Sequence, residues 1–320
     1  MRYIVIGAGA VGGTIGARLH QGGHDVLLVA RGAHYEALKR DGLRLITPES
    51  TETLDIPVAD GPVPAREDDV LILATKSQDT VSALAGWPSD LPVACAQNGV
   101  ANERMVLRRF DRVYGICVWL PAQHLEPGVV AAYGHPYSGL LHVGRYPQGV
   151  DDLAERIAGD LGKHGLVGLT QTDVMRWKHG KLLSNLGNAV EALVGHAPGR
   201  EKVVEAARAE ARALLDRAGI TYSTPAEEAS LRGNQVDVRH IEGIVRGGGS
   251  SWQSLARGSG SIEADYLNGE IVLLGRLHGV PTPVNEVLRR EANTFAQEKR
   301  PPGSMPLETL QALIDGRCAA

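Results

Sequence analysis

The stretch "VIGAGAVGG" at residues 5–13 decides how the rest of the chain is read. Its glycines at 7, 9 and 12 make a G-x-G-x-x-G pattern. In a chain of 320 residues with 39 glycines, that pattern alone carries little weight. Its surroundings carry more. Residues 3–6 (YIVI) are apolar and strand-prone. "AVGGTIGARLHQGG" reads as a helix closed by Gly22 and Gly23, and "DVLLVA" at 25–30 reads as a second buried strand. A glycine loop between a strand and a helix, in a unit of about 30 residues ending in another strand, is the setting in which the pattern binds a dinucleotide. Gly7 permits the turn, Gly9 lets the backbone approach a pyrophosphate, and Gly12 lets the helix pack close. The phosphates sit at the positive helix N-terminus. On this reading residues Gly7, Ala8, Gly9, Ala10, Val11 and Gly12 form the cofactor loop. The competing reading is a bare tight turn.

The end of the second strand bears on which dinucleotide. A site selective for NAD places Asp or Glu there, to bond the ribose hydroxyls. This strand ends Leu28-Val29-Ala30 and is followed by Arg31. A carboxylate repels a 2′-phosphate, whereas a guanidinium pairs with it through a fork that suits phosphate oxygens. The cofactor expected is therefore NADPH/NADP, against the alternative that Arg31 is a solvated loop residue.

The alternation continues. "DVLILAT" (69–75) and "LPVACAQNG" (91–99) read as further parallel strands, and "DRVYGICVWLPA" and "PGVVAAYGHPYSGLLHVG" as strands joined by Gly/Pro turns. "DDLAERIAGDLGKHG" reads as a helix. After about residue 170 long helical periods dominate, at 173–195, 201–218, 262–278 and 284–298. The expected architecture is an α/β dinucleotide-binding domain over 1–170 and a mostly helical domain over 171–320.

Composition is that of a globular protein, with 43% hydrophobic and 22% charged residues and a net charge of −4. Nothing in it suggests a nucleic-acid partner or an anionic membrane surface. The three cysteines are far apart, without a CxxC, so neither disulfides nor a zinc site is expected. No stretch resembles a signal peptide, and none approaches the ~20 apolar residues of a membrane span. A cytoplasmic location is expected.

The second domain holds a polar stripe. In "RWKHGKLLSNLGNAVEAL" (176–193), Lys181, Asn185 and Asn188 stand at i, i+4 and i+7 and share one helix face. Leu182, Leu183, Leu186, Val190 and Leu193 occupy another. The stripe either faces water or binds a small compound bearing a carbonyl and a carboxylate. Asn is a poor residue in mid-helix, which favours the second. A third region, "GGGSSWQSLARGSGSIEADYLNGEIVLLGRLHGVPTPVNE" (247–286), starts as a flexible Gly/Ser segment. In it Glu263, taken alone, reads as a first-turn acid complementing a helix dipole.

Taken together these blocks resemble the ketopantoate reductase (2-dehydropantoate 2-reductase) family. The resemblance runs through "IGAGAVGG" with Arg31, "ATKS" with Lys76, "AQNGV" with Asn98, "KLLSNLGN", and "SS…SIEADYLNGEIV…HGVPTP". It implies a Rossmann-type domain joined to a helical domain, with the active site in the cleft between them. It also implies NADPH-dependent reduction of a 2-oxo acid to a 2-hydroxy acid. The family's catalytic lysine matches Lys181 and its conserved acid matches Glu263, which also faces the cofactor. Its substrate-binding residues match Asn185, Ser251 and Asn188. Lys76 and Asn98 match positions lining the cofactor and substrate cleft. No metal is expected. Two features depart from the commonest pattern, and both fall around the substrate. Asn188 follows Asn185 by three residues rather than four and precedes Ala189, and "WQSL" follows the paired serines. The substrate is a small 2-oxo acid, ketopantoate or another, with an imine as a further alternative. A dinucleotide-sensing protein without chemistry is the reading from another class. "YLNGEIVLLGRL" offers a face for a homodimer.

Overall fold

The structure, a computed structural model, describes residues 1–318. It begins with β1 (Arg2–Ile6), α1 (Ala10–Gln21), β2 (Asp25–Val29), α2 (Gly32–Asp41), β3 (Leu43–Ile46), β4 (Thr51–Leu54), β5 (Val58–Ala59) and β6 (Asp69–Leu73). Then come α3 (Thr80–Ala83), β7 (Val93–Cys95), α4 (Asn102–Leu107), β8 (Val113–Trp119), β9 (Ala122–Glu126), β10 (Val129–Ala132), β11 (Gly134–Pro136), β12 (Gly139–Arg145), α5 (Asp152–Leu161) and β13 (Leu166–Thr170).

The main sheet has eight strands in the order β13-β12-β8-β7-β6-β1-β2-β5. From β8 to β5 the neighbours run parallel, and β12 turns antiparallel against β8. Strand β1 lies between β2 and β6, so the chain leaves it to one side and later returns to the other. In open α/β sheets such a switch opens a crevice at the carboxyl ends of the strands. The strands are apolar throughout because both faces are covered. Tyr3 and Val5 enter the core on one face, with Val26, Leu28, Val70 and Ile72. Ile4 and Ile6 enter the core on the other, with Leu71, Leu73, Val93 and Trp87.

A second sheet, β4-β3-β10-β9, was not expected from the sequence. It explains why α1 is so rich in glycine. A Cβ on Gly16 would lie 2.5 Å from Leu28 of the main sheet, and one on Gly13 would lie 3.1 Å from Val130 of the second sheet. The helix is held between two sheets, and only hydrogen atoms fit on both sides.

The rest of the chain forms α6 (Val174–Asn185), α7 (Gly187–Val194), α8 (Arg200–Ala218), α9 (Pro225–Arg232), β14 (Val236–Val238), α10 (Ser250–Ala256), α11 (Asn268–His278), α12 (Pro283–Gln297) and α13 (Leu307–Cys318). The chain packs as two units. One comprises residues 1–98, 102–178 and 224–246, and the other 99–101, 179–223 and the chain from 247 onward. The second is helical, with no named strand among its described residues. This packing differs from a division after residue 170 in three places, the first being residues 99–101, which group with the second unit. Residues 171–178 group with the first unit, and 224–246 return to it because β14 pairs antiparallel with β11.

Two helical segments are shorter than their periodicity suggested. The stretch 173–195 is two helices, α6 and α7, which meet at Leu186, and Gly187 at the start of α7 packs close to α8. A Cβ there would sit 3.3 Å from Val204. The stretch 262–278 opens as a 3-10 turn over Glu263–Tyr266 before α11 begins at Asn268. The Gly-rich start at 247–249 is also less free than its composition suggests. A Cβ on Gly247 or Gly248 would lie within 2.7 Å of Trp252, so the indole occupies the space their side chains would need.

Candidate active site

In the first unit the glycine loop lies at the switch between β1 and β6. Gly7 has φ +99°, and a Cβ on it would meet the Ala74–Thr75 backbone at 2.8 Å. A Cβ on Gly12 would lie 2.1 Å from Gly7 O and 2.9 Å from the Ala74 side chain. Both glycines are therefore required by the protein's own packing. Gly9 is not: a Cβ there has no atom within 4 Å. The space above Gly9 belongs to a cleft of about 300 Å³ lined by Gly7, Ala8, Gly9, Arg31, His34 and Thr75, among others. Helix α1 begins at Ala10 beside it, with no acidic residue in its first turn and no side chain capping its first N–H groups. Those N–H groups lack intrahelical acceptors and carry the positive end of the helix dipole, which suits an anion.

Arg31 stands at the rim, exposed, as the N-cap residue of α2. It makes no ion pair among the described residues. Lys76 caps the 3-10 turn Ser77–Asp79, at the carboxyl end of β6. Asn98 follows the end of β7.

Beneath these strand ends is a buried polar network that the sequence did not disclose. Lys178, 2% exposed, pairs with fully buried Glu103 and donates to Gln97 O at 3.0 Å. Gln97 Nε2 donates to Thr80 Oγ1 at 2.8 Å, and Thr80 in turn donates to Asn102 Oδ1. Asn102 Nδ2 donates to Ser77 Oγ and to Asn98 O. The network ties the turn after Lys76 to the chain at Asn98. A buried pair of this kind costs desolvation and stabilises little in itself. Breaking it by removing one partner costs about 3–5 kcal/mol. Burial pushes the nearby Cys95 thiol up, which removes it as a nucleophile.

In the second unit, Leu182, Leu183, Leu186, Val190 and Leu193 are all buried. Lys181 and Asn185 lie one turn apart near the end of α6. Asn185 is 6% exposed, and its Nδ2 is buried with no hydrogen-bond partner. A buried donor without a partner is costly and uncommon. Asn188 falls outside α6, on α7, which begins at Gly187. The Asn188 Nδ2 lies 3.5 Å from Ser250 Oγ at the start of α10. Ser251 is the next residue of that helix and is buried. Glu191 Oε2 accepts from Gly249 N at 2.7 Å and anchors the same helix start. Glu263 opens the 3-10 turn and so lies outside the first turn of α11, where Glu270 takes the place of the dipole-complementing acid. Among the described residues no cluster of His, Cys, Asp or Glu is arranged to hold a metal. No described helix is long and apolar enough to cross a membrane.

A largely parallel sheet with a glycine loop at its switch point, in a chain whose second unit is helical, defines a Rossmann-type class of two-unit protein. The model of the family "Ketopantoate reductase PanE/ApbA" matches residues 3–148, and that of its C-terminal domain matches residues 173–295. The chain belongs to this family, whose members are oxidoreductases acting on CH–OH groups. It is 30% identical over 295 residues to a 2-dehydropantoate 2-reductase of Mycobacterium tuberculosis H37Rv, covering 89% of this chain and 94% of the relative. It is 28% identical over 300 residues to the enzyme of the same name from Pyrococcus horikoshii, covering 90% and 95%. A PanE/ApbA-family ketopantoate reductase structure from Ralstonia eutropha JMP134 matches with TM-score 0.78 at 27% identity, over 94% of this chain and 100% of that one. D-mandelate dehydrogenase, solved with NADH and anilino(oxo)acetate, shares the fold at TM-score 0.79 and 23% identity, over 94% and 100%.

His34 is the cleft residue that sequence reading missed. A signal was present, since it lies three residues after Arg31 in the first turn of α2. Lys178 and Glu103 gave no such signal, because a surface lysine and an exposed helix-start glutamate have the same local sequence.

The glycine geometry separates two substitutions that look alike in sequence. We expect Gly12→Val to lower the melting temperature sharply, because its side chain has no space. Gly9→Val should leave the melting temperature near that of the unmodified protein while abolishing nicotinamide dinucleotide binding by calorimetry.

Proposed function

We propose that this protein reduces a 2-oxo acid to the corresponding 2-hydroxy acid with NADPH, and that ketopantoate, reduced to pantoate, is the substrate. The observation that carries the proposal is the open space at Gly9, beside an uncapped helix N-terminus and the unpaired Arg31. The first unit's residues fit a dinucleotide there. The N–H groups of residues 9–12 would take the pyrophosphate, Arg31 the 2′-phosphate, and Lys76 and Asn98 would contact the dinucleotide from the ends of β6 and β7. The family's curated relatives, named 2-dehydropantoate 2-reductases over about nine-tenths of this chain, support the reaction.

When bound, the dihydronicotinamide supplies the hydride that the ketone carbon receives. The chain's own residues do the rest. Lys181 places a positive charge at the ketone oxygen, where negative charge develops, and gives that oxygen a proton to form the hydroxyl. Glu263 orients the Lys181 ammonium. Asn185, with its unpartnered buried Nδ2, and Ser251 hold the substrate's oxygens, and Asn188 contributes from the start of α7. No step calls for a metal.

A different 2-oxo acid is the second reading. It is favoured by the indole of Trp252, which follows Ser251 directly and fills the space above Gly247 and Gly248. NADPH oxidation measured across a panel of 2-oxo acids that includes ketopantoate decides between the two.

For the coenzyme, we expect Arg31→Ala to weaken NADPH binding about ten- to a hundredfold, the worth of a charge-assisted phosphate contact, and to leave NADH binding unchanged. Equal affinity of the unmodified protein for both coenzymes would overturn the selectivity. For the chemistry, Lys181→Ala should fold and bind NADPH normally while kcat on the best substrate of the panel falls about a hundred- to ten-thousandfold. A variant that keeps most of its turnover would show that Lys181 is not the proton donor.

A further inference from the structure

The imidazole of His34 sits in the first turn of α2 and lines the cleft beside Gly7, Ala8 and Gly9. Both of its nitrogens are engaged by backbone, and Nδ1 also lies 3.3 Å from His124 Nε2. Nε2 lies 2.7 Å from Ala8 O, and Nδ1 lies 2.9 Å from Gly128 N in the turn between β9 and β10. A backbone N–H can only donate, so Nδ1 is the acceptor and Nε2 carries the proton. The ring is therefore neutral, in one tautomer, and donates to Ala8 O. His124 packs edge-on against it, with ring centroids 4.5 Å apart and an interplanar angle of 85°. Burial holds the His34 pKa below its ordinary value, in keeping with a neutral ring.

Ala8 O belongs to the same peptide plane as Gly9 N–H. In a trans peptide the two point in opposite directions, and the plane turns as a unit. Pinning Ala8 O toward α2 therefore aims Gly9 N–H away from it. The second sheet supports the pin from behind, since Gly128 O also accepts from Arg44 N of β3 at 2.9 Å. Gly128 itself has φ +83° and sits against Ala37 of α2, where a Cβ would approach to 3.2 Å.

We propose that His34 is a positioning residue for the dinucleotide pyrophosphate: by donating to Ala8 O it fixes the Ala8–Gly9 peptide so that Gly9 N–H faces the phosphate oxygens. The inference rests on the dinucleotide reading of this cleft and deepens it. It also divides the work of two neighbours. Arg31 serves the 2′-phosphate, which only NADPH carries, whereas His34 serves the pyrophosphate, which NADPH and NADH share.

The test is calorimetric titration of the full chain with NADPH and with NADH. His34→Phe keeps the ring volume and removes both polar atoms. It should weaken both dinucleotides alike, by about five- to tenfold, the worth of one hydrogen bond. His34→Gln, whose amide offers one donor and one acceptor, should return both affinities to within about twofold of the unmodified protein. Unchanged binding by the Phe variant, or a Gln variant no better than Phe, overturns the proposal. So does a loss confined to NADPH, which would assign His34 to the 2′-phosphate. If the Phe variant does not fold, Asn and Gln decide. The shorter Asn amide can accept from Gly128 N but does not reach Ala8 O, so equal affinity of the two variants overturns the proposal. An unmodified protein that binds neither dinucleotide overturns the dinucleotide reading itself, and this inference with it.

Discussion

The first unit depends on one tight contact, the seating of α1 between two sheets. Glycines at 12, 13 and 16 give the helix no side chains where Gly7 O, Val130 and Leu28 press against it. Because the helix is so close, its N-terminus ends at the carboxyl edge of β1, beside the end of β6. The anion-attracting end of the helix and the crevice of the sheet are thus brought to the same place by packing alone. The second sheet does more than cover the helix. Its β9–β10 turn reaches the back of the glycine loop through His34, so the loop is held from two directions.

The residues proposed for the site stand on backbone that buried polar groups hold in place. Lys178 and Glu103 lie under the end of β7, and the Gln97–Thr80–Asn102 chain joins that end to the turn after Lys76. The second unit uses the same device. Glu191 accepts from Gly249 N and fixes the start of the helix that carries Ser251. Glu210 accepts from the N–H groups of Val284 and Asn285, and Asn285 Oδ1 accepts from Asn268 at the start of α11. Low dielectric makes each such group costly to leave unpaired, so these networks specify geometry more than they add stability.

Some elements were legible because their signal is local. The strand–loop–helix of residues 3–21, the apolar strands at 69–73 and 93–95, and helix α5 follow from periodicity and turn chemistry. The structure adds its cap: Asp151 accepts from Ala154 N at 2.9 Å. The leucine face of 182–193 was legible for the same reason. Other elements were not. Strand β14 has three residues and exists only because β11 is there to pair with it. The close seat of Gly187 against Val204, seventeen positions away in sequence, was not legible either. The glycines at 247–249 read as freedom, yet Trp252 makes them a packing requirement.

By itself, the sequence determined the fold class, the glycine loop and the order of chemistry-bearing blocks, because periodicity, turn residues and motif spacing act over a few positions. The tertiary structure decided which glycines the protein needs for itself and which it leaves open. Gly7, Gly9 and Gly12 are indistinguishable as letters, and only the atoms around each show that Gly7 and Gly12 are filled against while Gly9 is not. It likewise decided that Lys178 is buried with Glu103 and that His34 grips the loop. Burial and pairing are made between distant segments, and a local pattern carries no record of which segment will arrive.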